Sequence, residues 1–187
     1  MLLTLFFCLL SCSPAGGDFV PLSQENTTIE SCIENGEKKD VFQTYNDEQV
    51  LFKVRGKWDV RFGGSRFYLE LTNKTQRDLV IEPNSISFNT NLDEKIVSVG
   101  LSHTAASGLP EGNSGNQKLK DAKLENGQIK IRAGQTTELD TGFRLEIKEY
   151  SKSKNYFLGK EVRLNIPVMI DGQEKLCKFA FKYDDFQ

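Results

Sequence analysis

A chain of 187 residues is long enough for one domain of ordinary size, and its 38% apolar and 27% charged content is that of a folded protein, not a disordered one. Lys and Arg number 24 against 26 Asp and Glu, a formal net charge of −2, so no basic excess marks it as a nucleic-acid binder. Thirteen Phe and five Tyr, spread among Val, Ile and Thr, suit the half-buried surfaces of pleated sheets.

The first segment, Met1–Leu10, is apolar apart from Thr4 and Cys8. As a helix it would span about 15 Å, half a bilayer core, which excludes a transmembrane helix and suits the apolar region of a signal peptide. Leu9-Leu10-Ser11-Cys12 then resembles the lipobox of bacterial lipoproteins. The resemblance implies that residues 1–11 are a signal peptide cut before Cys12. It implies also that Cys12 carries thioether-linked diacylglycerol with palmitate-type chains, and so a membrane anchor. Cys8 fits less well, because Leu5-Phe6-Phe7 precedes it where a small residue is wanted. The chain departs from the family in one respect: nothing basic precedes Cys12. Either the α-amino group supplies the positive charge or the true start lies upstream of Met1. Ser13 stands where an aspartate would imply retention in the inner membrane. The resemblance therefore favours the outer membrane of a bacterial cell envelope, with the chain facing the periplasm or the exterior.

Residues 12–27 read as the lipidated N-terminus and a flexible tether, with Pro14, Gly16 and Gly17 in its first part. Residues 28–187 read as a single domain. With Cys12 acylated and Cys8 removed, Cys32 and Cys177 remain, and an oxidising compartment makes a disulfide between them the expectation. Such a bridge would close a loop of about 145 residues.

Strand signals follow along the chain. Val50–Val54 and Trp58–Phe62 read as two short strands around Gly56. Phe67, Leu69 and Leu71 alternate with Tyr68, Glu70 and Thr72, and Asn73–Gln76 makes a turn. Asp78–Glu82, Ile86–Phe88 and Ile96–Leu101 continue the pattern. Leu139, Thr141, Phe143, Leu145 and Ile147 then alternate with polar residues over ten positions, and Val162, Leu164, Ile166, Val168 and Ile170 repeat the pattern. Pro167 points to a sheet edge or bulge. Asp171-Gly172 is a hairpin turn, and the returning strand places Cys177, Phe179, Phe181 and Tyr183 on one face with Leu176 on the other. Few or no helices are expected. About eight strands separated by polar turns predict an all-β antiparallel sandwich.

Phe67-Tyr-Leu-Glu-Leu-Thr-Asn-Lys-Thr75, the later Ala133-Gly-Gln-Thr-Thr-Glu-Leu139 and Gly142-Phe-Arg-Leu145 are similar to immunoglobulin-like sandwich domains of bacterial exported lipoproteins. This resemblance implies a fold and no activity.

Ser102–Gly127 breaks the pattern, with Gly, Ser and Asn punctuating it, and a loop of that length in a compact domain is a candidate binding loop. Its candidate residues are His103, Leu109, Asn113 and Asn116, and its partner would be a protein or a glycan. His103 is the single histidine, so a typical zinc site cannot be built around it, and no metal or other cofactor is expected. No Gly-x-Ser-x-Gly nucleophile motif occurs. The carboxylate pairs Asp93-Glu94, Glu138/Asp140 and Asp184-Asp185 read as solvated charges. Lys148, Lys152, Lys154 and Lys160 gather around Tyr150 and Tyr156 in a basic turn that could touch anionic glycans or lipid headgroups. Asn26-Thr27-Thr28 and Asn73-Lys74-Thr75 match the glycosylation sequon, which matters only outside bacteria. The expectation is a non-enzymatic binding or interaction protein of the cell envelope. The alternatives are a secreted or periplasmic hydrolase and a non-lipidated secreted ectodomain.

Overall fold

The computed structural model describes residues 18–34, 37–59, 64–90, 96–102, 122–125, 127–145 and 157–184. Thirteen strands run through them, every pairing antiparallel: β1 Asp18–Pro21, β2 Thr27–Glu34, β3 Glu37–Asn46, β4 Val50–Asp59, β5 Gly64–Asn73, β6 Leu79–Ile81, β7 Ser87–Thr90, β8 Ile96–Ser102, β9 Ala122–Glu125, β10 Gln128–Ile131, β11 Thr136–Leu145, β12 Glu161–Ile170 and β13 Gln173–Asp184. A 3₁₀ turn spans Pro83–Ser85, and Phe157, just before the turn that leads into β12, has helical backbone. The protein is all-β, as the alternation of its sequence predicts.

The strands form two layers. One runs β8-β11-β5-β4, with β3 and β2 continuing beyond β4. The other runs β13-β12, then β6, β10 and β9, with β7 sharing the far edge of β12. Period-2 alternation turns one face of each layer inward. From the first layer come Phe52 and Val54 of β4, Phe67, Leu69 and Leu71 of β5, and Leu139 and Phe143 of β11, all buried. Val162, Leu164, Ile166 and Val168 of β12 and Phe179, Phe181 and Tyr183 of β13 meet them from the second. Aromatic rings carry the contact. The Phe67 ring lies 5.1 Å from Phe19, 5.4 Å from Phe88 and 5.1 Å from Phe181, in the tilted arrangements that ring quadrupoles favour.

Strand β1 joins the layers. Asp18–Pro21 pairs along its whole length with Phe181–Asp184 of β13, while Asp18 and Phe19 also pair with Lys57 and Gly56 of β4. The edge of β4 is thereby divided, because β3 covers only Leu51–Val54 of it. Phe19 is 2% exposed and enters the aromatic core, and Leu22 extends the ladder through its N–H to the Ala180 carbonyl at 2.8 Å. The expected tether over 12–27 is therefore shorter than the composition suggests. The domain does not begin at residue 28, because the chain is already paired at Asp18 and core at Phe19.

Two local features follow from backbone chemistry. Asp171 and Gly172 have φ of 53° and 75°, the two positive values that a type I′ hairpin requires, and Ile170 pairs with Gln173 across them. Pro167 pairs with Leu176 on the β13 side. On the other side it falls between the β7 ladder, which ends at Asn165, and the β6 ladder, which starts at Met169. A residue without an N–H thus stands where β12 is locally an edge.

The two short strands expected around Gly56 are one continuous strand, β4, paired with β5 from Val50 to Asp59. Gly56 is no turn. A Cβ there would lie 2.6 Å from the Phe67 ring and 2.7 Å from Cβ of Phe19, so glycine is what lets β1 and the Phe67 ring close on β4. Gly56→Ala is expected to lower unfolding free energy by about 2–3 kcal/mol through overpacking. Urea denaturation with an unchanged m-value and a lower midpoint would show it.

Candidate functional site

A concave surface lies where the β1–β2 connection passes the start of β13. Ser23, Gln24, Asn26 and Tyr45 line one part of it, a depression of about 480 Å³, with Leu176 and Lys178 of β13 as its floor. A second depression of about 380 Å³ shares Gln24, Leu176 and Lys178 and continues to Ser87, Asn89 and Asn165. Outward positions of β7, β12 and β13 supply these side chains by simple alternation, with Lys178 opposite Asn165 and Leu176 opposite Pro167. The result is a shallow trough of amides, hydroxyls and the charged groups Glu25, Arg163 and Lys178 around Leu176, which is 44% exposed. Such a lining exchanges hydrogen bonds with an extended polar ligand and packs one apolar group against Leu176.

The trough's wall is held by a polar cluster at the end of β3. Asp47 Oδ1 accepts the backbone N–H groups of Gln49 and Val50 at 2.8 and 2.9 Å, and Oδ2 accepts the Tyr45 hydroxyl at 2.9 Å. Lys175 Nζ lies 2.5 Å from Oδ2 and 2.7 Å from Oε1 of Gln49. Burial alone would raise the Asp47 pKa, yet the hydrogen bonds from Lys175, Val50, Gln49 and Tyr45 outweigh it and bring it down to about 2. Burial pushes the Tyr45 phenol up, helped by its hydrogen bond to Asp47. Below the cluster Cys177 is fully buried, and burial, reinforced by the Asp47 charge, pushes its thiol up to about 12. Near neutral pH this arrangement keeps Asp47 an anion and Cys177 a thiol.

Cys177 is a free, buried cysteine, and the side chain of Cys32, its expected partner, lies outside the described ones. In the backbone ladder Cys32 stands opposite Asp40.

Two buried amides seal the edges of the layers. Gln43 Nε2 donates to the Leu22 carbonyl at 2.8 Å and the Thr27 hydroxyl at 3.0 Å, while its Oε1 accepts the Ala180 N–H at 2.9 Å. Asn73 Nδ2 donates to the Arg77 and Ile131 carbonyls at 2.7 and 3.0 Å, and its Oδ1 accepts the N–H and the hydroxyl of Thr75. With every side-chain lone pair and proton of Asn73 engaged, this sequon is a structural turn and offers no amide for a glycan. Asn26 sits in a left-handed turn at φ 62° and is exposed.

The outer face of the first layer carries a row of charges and rings. The Arg55 guanidinium lies 5.0 Å from the Tyr68 ring centroid and 5.7 Å from that of Phe42, with Asp40 2.5 Å away. Arg66 stacks 5.2 Å from the Tyr68 ring centroid and pairs with the buried Asp140. Asp140, expected as a solvated charge, is thus an ion-paired residue.

His103, Leu109, Asn113 and Asn116 lie outside the described residues, as do Cys12, Asp93-Glu94, Asp185 and the Lys148–Tyr156 turn. The strands that bound the candidate loop are in place: β8 ends at Ser102, opposite Asp140, and β9 begins at Ala122, opposite Ile131. Among the described residues no group of three His, Cys, Asp or Glu side chains is placed to hold a metal. No helix among them is long and apolar enough to cross a membrane. The trough is not legible in the sequence because its members come from five separate segments, each carrying only ordinary outward-facing residues. No family model matches the chain, and no curated protein does.

Acid titration gives one check. The Asp47 pKa is depressed in the folded state, so its stabilisation is complete above about pH 4 and is lost as pH falls towards 2. Discounted for partial exposure, that amounts to about 1–2 kcal/mol. Asp47→Asn should cost this much at pH 7 and flatten the stability profile between pH 4 and 2; an unchanged profile would show that Asp47 contributes nothing. For Cys177, iodoacetamide at pH 8 should leave the native thiol unlabelled and modify it fully in urea.

Proposed function

We propose that the chain is a bacterial cell-envelope lipoprotein, anchored through acylated Cys12 and presenting its sandwich as a non-enzymatic binding module for a protein or glycan. The observation that carries this reading is Leu9-Leu10-Ser11-Cys12 standing six residues ahead of the first strand. A lipidated cysteine needs a short stalk and then a folded domain, and Ser13–Gly17 leaves room for only that. Two or more acyl chains at about 0.8 kcal/mol per buried CH₂ make a stable anchor. The trough supports the binding half of the reading: it displays amides, hydroxyls and charged groups that can exchange hydrogen bonds with a polar ligand. The outer membrane is the favoured address, since Ser13 follows Cys12.

Intact-mass measurement on the membrane-extracted mature protein tests the reading. The expected product begins at Cys12 and carries the mass of a diacylglycerol, with or without a further acyl group. A soluble product cut at another position, with no added lipid, would sink it.

A further inference from the structure

We propose that the Phe157–Lys160 turn is a second membrane contact, with Leu158 inserted among the headgroups of the bilayer that holds Cys12. This rests on the lipoprotein reading above and adds an orientation to it.

The turn is rigid. Phe157 is fully buried, its ring 5.3 Å from Trp58 and 5.5 Å from Phe143. Lys160 N–H donates to the Phe157 carbonyl at 2.8 Å, Gly159 N–H to the Tyr183 carbonyl at 2.9 Å, and Tyr183 N–H to the Lys160 carbonyl at 3.0 Å. Gly159 takes φ 74°, the left-handed value that lets the chain reverse. What this frame presents outward is Leu158, 51% exposed although its neighbour is core. Lys160 follows in the turn, and the Lys182 stem runs 3.9 Å from where a Cβ on Gly159 would sit. Glu161, opposite Lys182 in the ladder, has Arg163 4.0 Å away. One leucine flanked by two snorkelling lysines fits a headgroup boundary, where the apolar group sinks and the ammonium groups stay wet.

An exposed leucine alone would mean little. Its place gives it meaning. Asp18 pairs with Asp184, and the turn flanks Tyr183 on the other edge of β13, so Leu158 lies about two strand spacings, roughly 10 Å, from the start of β1. From Cys12 to Asp18 the chain reaches at most about 20 Å. The opposite end of the sandwich, where Asn73 and Gly172 lie, is a further ten-residue strand away, roughly 33 Å. A lipid on Cys12 therefore holds the Leu158 end beside the bilayer. Among the described residues the other two exposed large apolar side chains, Ile29 and Leu176, lie opposite Gln43 and Pro167.

The test uses the full, acylated chain in phosphatidylethanolamine–phosphatidylglycerol vesicles with and without brominated acyl chains. Leu158→Trp is compared with Glu174→Trp, an exposed position near the Gly172 hairpin, against the background of the native Trp58. Bromolipid should quench the emission added at 158 at least twofold and leave that added at 174 unchanged. Lys160→Glu with Lys182→Glu should abolish the quenching at 158 without releasing the protein from the vesicles. Equal quenching at both positions, or none at 158 in a protein whose mass confirms the lipid, overturns the proposal and leaves the anchor standing. Absence of lipid on Cys12 removes both.

Discussion

The fold depends on the seating of a four-residue strand. Two sheets with aromatic inner faces would pack in any case, but β1 is what makes them continuous. It completes the edge of β4 beyond the reach of β3, and it covers the edge of β13 that β12 leaves free. Its side chain Phe19 then lies 5.1 Å from both Phe67 and Tyr183, one in each layer. Backbone pairing and ring packing reinforce each other here. Without β1, the N–H and C=O groups of Phe181–Tyr183 on that edge would face water directly above a dry aromatic core, a combination that sheets avoid.

Several otherwise unconnected features serve this one junction. Gly56 removes the methyl that would collide with Phe19 and Phe67. Gln43 uses both ends of its amide to tie β3 to Leu22 and Ala180, next to the place where β1 leaves the sheet. Because Gln43 is fully buried, loss of either partner would strand a polar group, so the connection after β1 is as strongly specified as the strand itself. Asn73 does the same at the far end, linking the end of β5 to β10 through the Ile131 carbonyl. The layers are thus pinned by one buried amide near each end, with hydrocarbon between.

The second half of the fold was legible in the sequence because its alternation is unbroken. Val162–Ile170 and Cys177–Tyr183 each bury one face completely, and Asp171-Gly172 announces its own turn chemistry. The first half was less so, for a physical reason. Glycine within a strand looks like a turn unless the ring that occupies its missing Cβ is known, and that ring, Phe67, comes from the neighbouring strand. Asp18–Pro21 is too short, and too close to Gly16-Gly17, for local sequence to show that two strands await it. The pairing expected of Cys32 and Cys177 came from compartment chemistry alone, which carries no information on register. The trough was invisible in the sequence because a surface assembled from five segments leaves no periodic trace in any of them.

The same junction gives the proposed anchor a mechanical consequence. A lipid on Cys12 would pull on the chain at Asp18, which is the first ladder residue and not the end of a loose arm. Tension along β1 loads its two ladders in shear, so the pairs with β13 and β4 must slide together and cannot open one by one. Sliding would also drag Phe19 past Phe67 and Tyr183, which the close packing of the core resists. Attachment and core stability are then properties of the same four residues. With a lipid on Cys12, a domain built this way would bear load at its β1 end while the trough on its outer face, held by the Asp47–Lys175 pair, keeps its shape.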